Sequence, residues 1–183
     1  MKQSNKTRLM VLSAMFLAIA FVFPFLTGQV PQIGAMLCPM HLPVILCGFV
    51  CGAQWGGMVG FMAPLLRSMI LGMPPMFPKA ICMALELSVY GLLSGILYRV
   101  FPKKKGSIYL ALILAMIIGR VVWGVAMLVC MGLSGEQFSF ELFVAGAITN
   151  AIPGIILQNI LIPLLVMGVE QIRSLVMIIN VKG

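Results

Sequence analysis

The sequence predicts an all-α integral membrane protein of six transmembrane helices. It reads as a single domain over residues 1–183, with cytoplasmic tails at 1–8 and 171–183. Three observations predict this. Only 9% of the 183 residues are charged, whereas 62% are hydrophobic. Mean hydropathy is +1.14. The apolar residues also fall into runs near the roughly 20 residues that a helix needs to cross a bilayer core. A soluble domain of this size has too much surface to be covered by so few charges. The net charge of +8 is not a nucleic-acid signal, because no soluble basic domain is left to carry such a site. In a membrane protein the same excess reports cytoplasmic loops.

Leu9 to Leu26 is the first expected span, a retained one, since more apolar helix follows a run too long for a cleaved leader. "TGQVPQIGAMLCPMHLP" is punctuated by Gly and Pro and reads as an irregular segment. A short second helix opens over Pro43 to Cys51 and breaks around "GAQWGG". Gly57 to Leu71 is the third, closed by the loop "GMPPMFP". Lys79 to Tyr98 is the fourth, followed by the polar linker "RVFPKKKGS". Ile108 to Leu133 is the fifth. After "SGEQFSFE", a sixth helix is expected from about Leu142 to Gly168, with Pro153 and Pro163 as kink points.

Basic residues orient the chain. Lys2, Lys6, Arg8, Arg99, Lys103, Lys104, Lys105, Arg173 and Lys182 all fall at one set of helix ends. Those ends are cytoplasmic by the positive-inside bias, which places both termini inside and Glu136 and Glu141 outside. The five cysteines lie in apolar segments; Cys47 and Cys51 share a helix face but lack a companion at metal-ligand spacing, so they read as small packing residues.

Three basic residues do not fit the loop pattern: Arg67, Lys79 and Arg120. Arg67 and Arg120 fall inside helices, with Glu86 in the fourth and Asn150 in the sixth. Lys79 marks the outer mouth. An arginine near a bilayer centre costs at least about 3 kcal/mol on insertion scales, so it faces protein or a wet cavity. An internal ion pair of Glu86 with one arginine accounts for part of this set and leaves a surplus of cations. The alternative is an outward-facing pocket, capped by loops, for a small polar solute bearing a negative group. Tyr90 lies four residues from Glu86 and Trp123 three from Arg120, so each shares a helix face with a charge. Gln32, Met40 and His41 precede the second helix and could fold over the mouth. Glycines at 52, 56 and 60, and at 91 and 95, recur at a spacing that lets helices approach closely.

The sequence has no GxxxxGK[ST] loop, HExxH or GxSxG motif, and no acidic cluster for a metal. No catalytic residues, metal or cofactor are expected, and the energy for any transport has to come from partners. A membrane enzyme using Glu86 as a base, and a structural subunit using Arg67 and Glu86 as a clasp, are the competing readings.

Several stretches carry a resemblance. The basic start, Ala14 and Ala18 in an AxxxA pattern, "MHLPVILCGFVCG", "PLLRSMILGMPPMFP", "MALELSVYGLLSG" and "AIPGII" together are similar to the S component of energy-coupling factor (ECF) vitamin transporters. The similarity runs from Arg8 to about Glu170 and points to a branch often assigned pantothenate. The resemblance implies a vitamin-binding subunit of an ABC-type importer in the bacterial cell membrane. It implies docking of the Ala14/Ala18 face on a membrane-embedded coupling protein driven by two cytoplasmic ATPases. Pantothenate is the first expected substrate, its carboxylate suiting Arg67 or Arg120 and its hydroxyl and amide groups suiting Glu86 and Asn150. Pyridoxine, a thiamine-precursor pyrimidine and riboflavin stay open.

Overall fold

A computed structural model of the chain describes residues 2–27, 39–102, 104–133 and 152–182. Among them every regular element is helical. Helix α1 is Lys2–Val22, continued by a 3-10 turn over Phe23–Thr27. Helix α2 is His41–Cys51, α3 is Ala53–Leu71 and α4 is Ile81–Val100, the last preceded by a π turn at Met76–Ala80. Helix α5 is Lys105–Leu133 and α6 is Ile152–Lys182.

Four stretches are long and apolar enough to cross a membrane: Lys6–Phe25, Met76–Val100, Gly106–Leu133 and Ile152–Gln171. The expected six spans are therefore not supported, and the two short members explain the difference. The 11 residues of α2 rise only about 16 Å, roughly half of a hydrocarbon core. Helix α3 carries Gln54, Arg67, Ser68 and three glycines, which dilute its apolar character. The tails expected at 1–8 and 171–183 are helical from Lys2 and as far as Lys182. No Gly or Pro interrupts residues 169–182, so nothing local ends α6 at Gly168. The expected part of the sixth helix from Leu142 to Ala151 lies outside the described residues.

Helix α4 is the hub, packed against α2, α3 and α5. Lipid tails are as apolar as leucine, so helices in a bilayer associate through close packing and not through a hydrophobic force between them. Glycine supplies that closeness here. A methyl group at Gly91 would fall on the backbone of Gly56 and Gly57 in α3, and one at Gly56 would meet the Gly91 carbonyl oxygen at 2.6 Å. Residue Gly52 alone joins α2 to α3, at φ +97°, a left-handed backbone that costs a residue with a Cβ dearly.

Pairings along the hub set the directions. Gly60 meets Leu87 and Gly95 meets Ala53, so α3 runs antiparallel to α4. Ser94 Oγ donates to the Ile45 carbonyl at 3.4 Å, and His41 lies against Tyr90, so α2 runs parallel to it. The Tyr98 hydroxyl donates to Glu170, tying α4 to α6. The core centres on Leu42, Ile45, Phe49, Tyr90, Leu112 and Ile162, all buried. The starts of α2 and α4 and the first described turns of α6 thus share one end of the bundle with the far ends of α1, α3 and α5. That end holds the site.

Candidate functional site

Each charge in the bundle follows from the face its helix presents. In α4, Cys82, Glu86, Leu87, Tyr90, Ser94 and Gly95 form the buried stripe at three- and four-residue spacing. Glu86 therefore points inward among apolar residues and is 1% exposed. A carboxylate cannot remain there as a charge without partners. It has them: Arg120 Nη1 of α5 stands 3.0 Å from Glu86 Oε1, and the Tyr90 hydroxyl donates to the same oxygen at 3.0 Å. Arg120 is 16% exposed, against 1% for the carboxylate.

The first residue of α2 completes the group. His41 is 3% exposed, with Nε2 3.6 Å from Glu86 Oε1 and its ring tilted against Tyr90 at 5.3 Å between centroids. Neither ring nitrogen has a hydrogen-bond partner among the described residues. The residue preceding it, Met40, is also buried, in a core cluster with Ala20, Val44 and Cys47. Tyr90 is held from behind by Gly119 of α5, where a Cβ would fall on the phenol ring. A carboxylate, a guanidinium, a phenol and an imidazole from three helices thus converge in an otherwise apolar core.

Other expected residues stand elsewhere. Arg67 is buried, yet it turns toward α1: Nη1 donates to the Phe21 carbonyl at 2.8 Å, and the guanidinium lies over the Phe25 ring at 5.2 Å. It makes no ion pair with Glu86, so of the two arginines expected around the carboxylate the structure brings Arg120 to it and Arg67 elsewhere. The physical reason is a local substitute: the carbonyls exposed where α1 loosens into its 3-10 turn satisfy the guanidinium. Lys79 is exposed just before α4. Trp123 is half-buried and packs against Cys82, Ala126 and Met127, one turn beyond Arg120. Asn150 and Gln32 lie outside the described residues. Ala14 and Ala18 are both exposed on α1, as are Met15 and Ile19 beside them.

Sequence reasoning missed Gln158. Gly154, Gln158, Ile162 and Val166 form the buried stripe of α6, and Gln158 is 2% exposed with its side-chain oxygen unpartnered among the described residues. The next residue, Asn159, donates to the Ile155 carbonyl at 2.9 Å and approaches Met116 Sδ at 3.8 Å, one turn from Arg120. A polar amide at a position where every fourth residue is apolar or small was the available signal.

A groove of about 450 Å³ lies apart from this cluster, between α3 and α4, lined by Gln54, Gly57, Met58, Phe61, Met62, Ser88 and Leu92. It is shallow and open, its methionines and phenylalanine face outward, and no charge lines it. Gln54 and Ser88 are its only polar lining residues, whereas the Glu86 cluster holds an ion pair.

The arrangement defines a class: a multi-pass helical membrane protein whose polar groups converge inside one end of the bundle, with no group of three or more metal-ligating side chains among the described residues. A family model for the substrate-specific component of ECF transporters matches residues 8–166. The chain belongs to that family and is a substrate-specific subunit of an ECF importer, working with a membrane-embedded energy-coupling complex. No curated protein and no solved structure matches the chain.

Proposed function

We propose that this subunit captures a water-soluble vitamin from outside the bacterial cell membrane at the His41–Glu86–Tyr90–Arg120 cluster. Delivery follows through a coupling protein driven by two cytoplasmic ATPases. The observation that carries this reading is Glu86. At 1% exposure it holds Arg120 and Tyr90 at 3.0 Å each, beside an imidazole with no hydrogen-bond partner among the described residues. A clasp alone needs one pair; it does not need a buried histidine whose ring nitrogens make no hydrogen bond among the described residues. The basic residues at the opposite helix ends favour cytoplasmic termini, which opens the cluster's end to the outside. The exposed Ala14/Ala18 face of α1 is left for the coupling protein.

The sequence expectation of pantothenate drew on a surplus of cations. With Arg67 engaged at α1 and Arg120 paired with Glu86, the choice rests on titrating pantothenate, pyridoxine, the thiamine-precursor pyrimidine and riboflavin side by side. Isothermal titration of the purified chain, with mass spectrometry of any copurified small molecule, tests the reading. Saturable binding of one of these that is lost in a folded His41→Leu variant supports it. A chain that binds none and copurifies with none is a structural subunit.

A further inference from the structure

We infer that the open groove between α3 and α4 seats an acyl chain of a phospholipid, and that Arg99 holds the anionic headgroup of that same lipid. The inference makes no use of the Glu86 cluster; only the naming of the leaflet rests on the orientation proposed above.

One face of each helix builds the groove. On α3 the wall is Gln54, Met58, Phe61 and Met62, and on α4 it is Ser88 and Leu92, each set at helical spacing. The floor is the close contact between the helices, where a Cβ on Gly57 would stand 2.7 Å from Leu92 Cγ. Met58, Phe61, Met62 and Leu92 are exposed, and α4 belongs to a stretch able to cross a membrane, so hydrocarbon is what this face meets. A groove walled by apolar atoms forfeits dispersion contacts unless a chain fills it.

The same face of α4 continues to Arg99, seven residues beyond Leu92 and eleven beyond Ser88, both close to whole numbers of turns. The guanidinium leans over the junction of α2 and α3: a Cβ on Gly52 would stand 2.5 Å from Arg99 Nη2. Gln54, at that end of the groove, is two residues further along. Arg99 is exposed, and the ion pairs among the described residues all belong to Glu86, which leaves the guanidinium to an outside anion.

The dimensions fit one lipid. Leu92 and Ser88 lie about 10 Å and about 16 Å above Arg99 along the axis. One leaflet contributes about 15 Å of a 30 Å hydrocarbon core. A headgroup on Arg99 therefore lays its chain along the groove within a single leaflet. In the proposed orientation that leaflet is the cytoplasmic one, which carries the anionic lipids. A zwitterionic headgroup cancels the attraction with its own cation.

Native mass spectrometry of the purified full-length chain tests this, with phosphatidylglycerol and phosphatidylcholine of identical acyl chains supplied in equal amounts. Phosphatidylglycerol is expected to be retained about fivefold more tightly, the worth of one basic residue near a headgroup. Arg99→Gln should bind the two lipids alike. Lys104→Gln, at an exposed position of the same end, should keep the preference, because that lysine does not lean over the groove's end. Met58→Trp with Met62→Trp fills the groove from two exposed positions and should lose both lipids, with thermal unfolding of the variant checking that it is folded. Equal retention of both lipids by the wild type overturns the inference, as does a preference that survives Arg99→Gln or falls equally in Lys104→Gln. Undiminished lipid binding in the folded tryptophan variant overturns it as well. A groove that takes no lipid in the chain alone and is covered only on assembly with the energy-coupling complex would make this face a protein interface. None of these outcomes touches the vitamin reading, which vitamin titration decides separately.

Discussion

The Glu86–Arg120 pair yields a double-mutant cycle whose outcome separates a charge-balanced site from two independent polar residues. In the wild type, Glu86 Oε1 accepts from Arg120 Nη1 and from the Tyr90 hydroxyl, both at 3.0 Å. Glu86→Gln keeps the shape and an acceptor for Tyr90 but takes from Arg120 the carboxylate that stands 3.0 Å away. Removing one partner of a buried pair costs about 3–5 kcal/mol. Because Arg120 is 16% exposed, the lower part of that range, about 3 kcal/mol, applies to Glu86→Gln. Arg120→Met strands the more deeply buried carboxylate and should cost at least as much. The double variant Glu86→Gln/Arg120→Met strands no charge and keeps the Tyr90 hydrogen bond. Replacing a buried pair by uncharged groups is often neutral, so its loss should be smaller than the sum of the singles by about 2 kcal/mol or more. Denaturant unfolding of the four proteins in detergent micelles, followed by tryptophan fluorescence, measures all the terms. Vitamin titration on the same samples adds the functional half: stability returns in the double variant while binding does not. Losses that add to within about 0.5 kcal/mol would refute the coupling on which the site description rests.

The remaining predictions concern the support, the docking face and the orientation. Gly119→Val drives a side chain into the Tyr90 ring, so it should destabilise the chain by about 1–3 kcal/mol, as overpacking does, and abolish vitamin binding; a variant with wild-type binding would mean that Tyr90 is not fixed from α5. Ala14→Trp with Ala18→Trp alters an exposed face, so titration should find vitamin affinity unchanged while uptake by the assembled transporter is lost. Equal loss of both would place that face in the site or in the fold. In a cysteine-free background, an impermeant thiol reagent added to intact cells should label Lys79→Cys and spare Lys104→Cys, both exposed positions at opposite ends of the bundle; the reverse pattern would invert the topology.

Much of the fold was legible in the chain because the bilayer leaves few choices. Backbone groups in hydrocarbon must be satisfied within a helix or a closed barrel, so apolar runs of bilayer length translate directly into helices. The break after Cys51 and the proline-rich turn before α4 were readable through backbone chemistry carried by single residues, although only Gly52 interrupts the helix and α3 starts at Ala53, four residues before the expected Gly57. The i,i+4 relation of Glu86 and Tyr90 was a property of helical geometry, and the structure turns it into a hydrogen bond. The membership of the chain in its family was legible too, in stretches of sequence distributed over almost its whole length.

Which charge meets which was not legible, because that depends on how helices are rotated against one another. Arg67 and Arg120 look alike in sequence, each a cation inside an apolar helix. Only packing sends Arg67 to the Phe21 carbonyl and Arg120 to Glu86, since a guanidinium is satisfied by a backbone oxygen or a carboxylate and takes whichever the fold brings near. Gln158 was hidden for the opposite reason: a neutral amide in a long apolar helix raises no alarm until the structure shows it buried with an idle oxygen. The chain by itself determined that these residues would be helical and that charges inside the bundle would need partners. Tertiary structure alone decided the partners, because hydrophobic length is written along one dimension and electrostatic pairing depends on three.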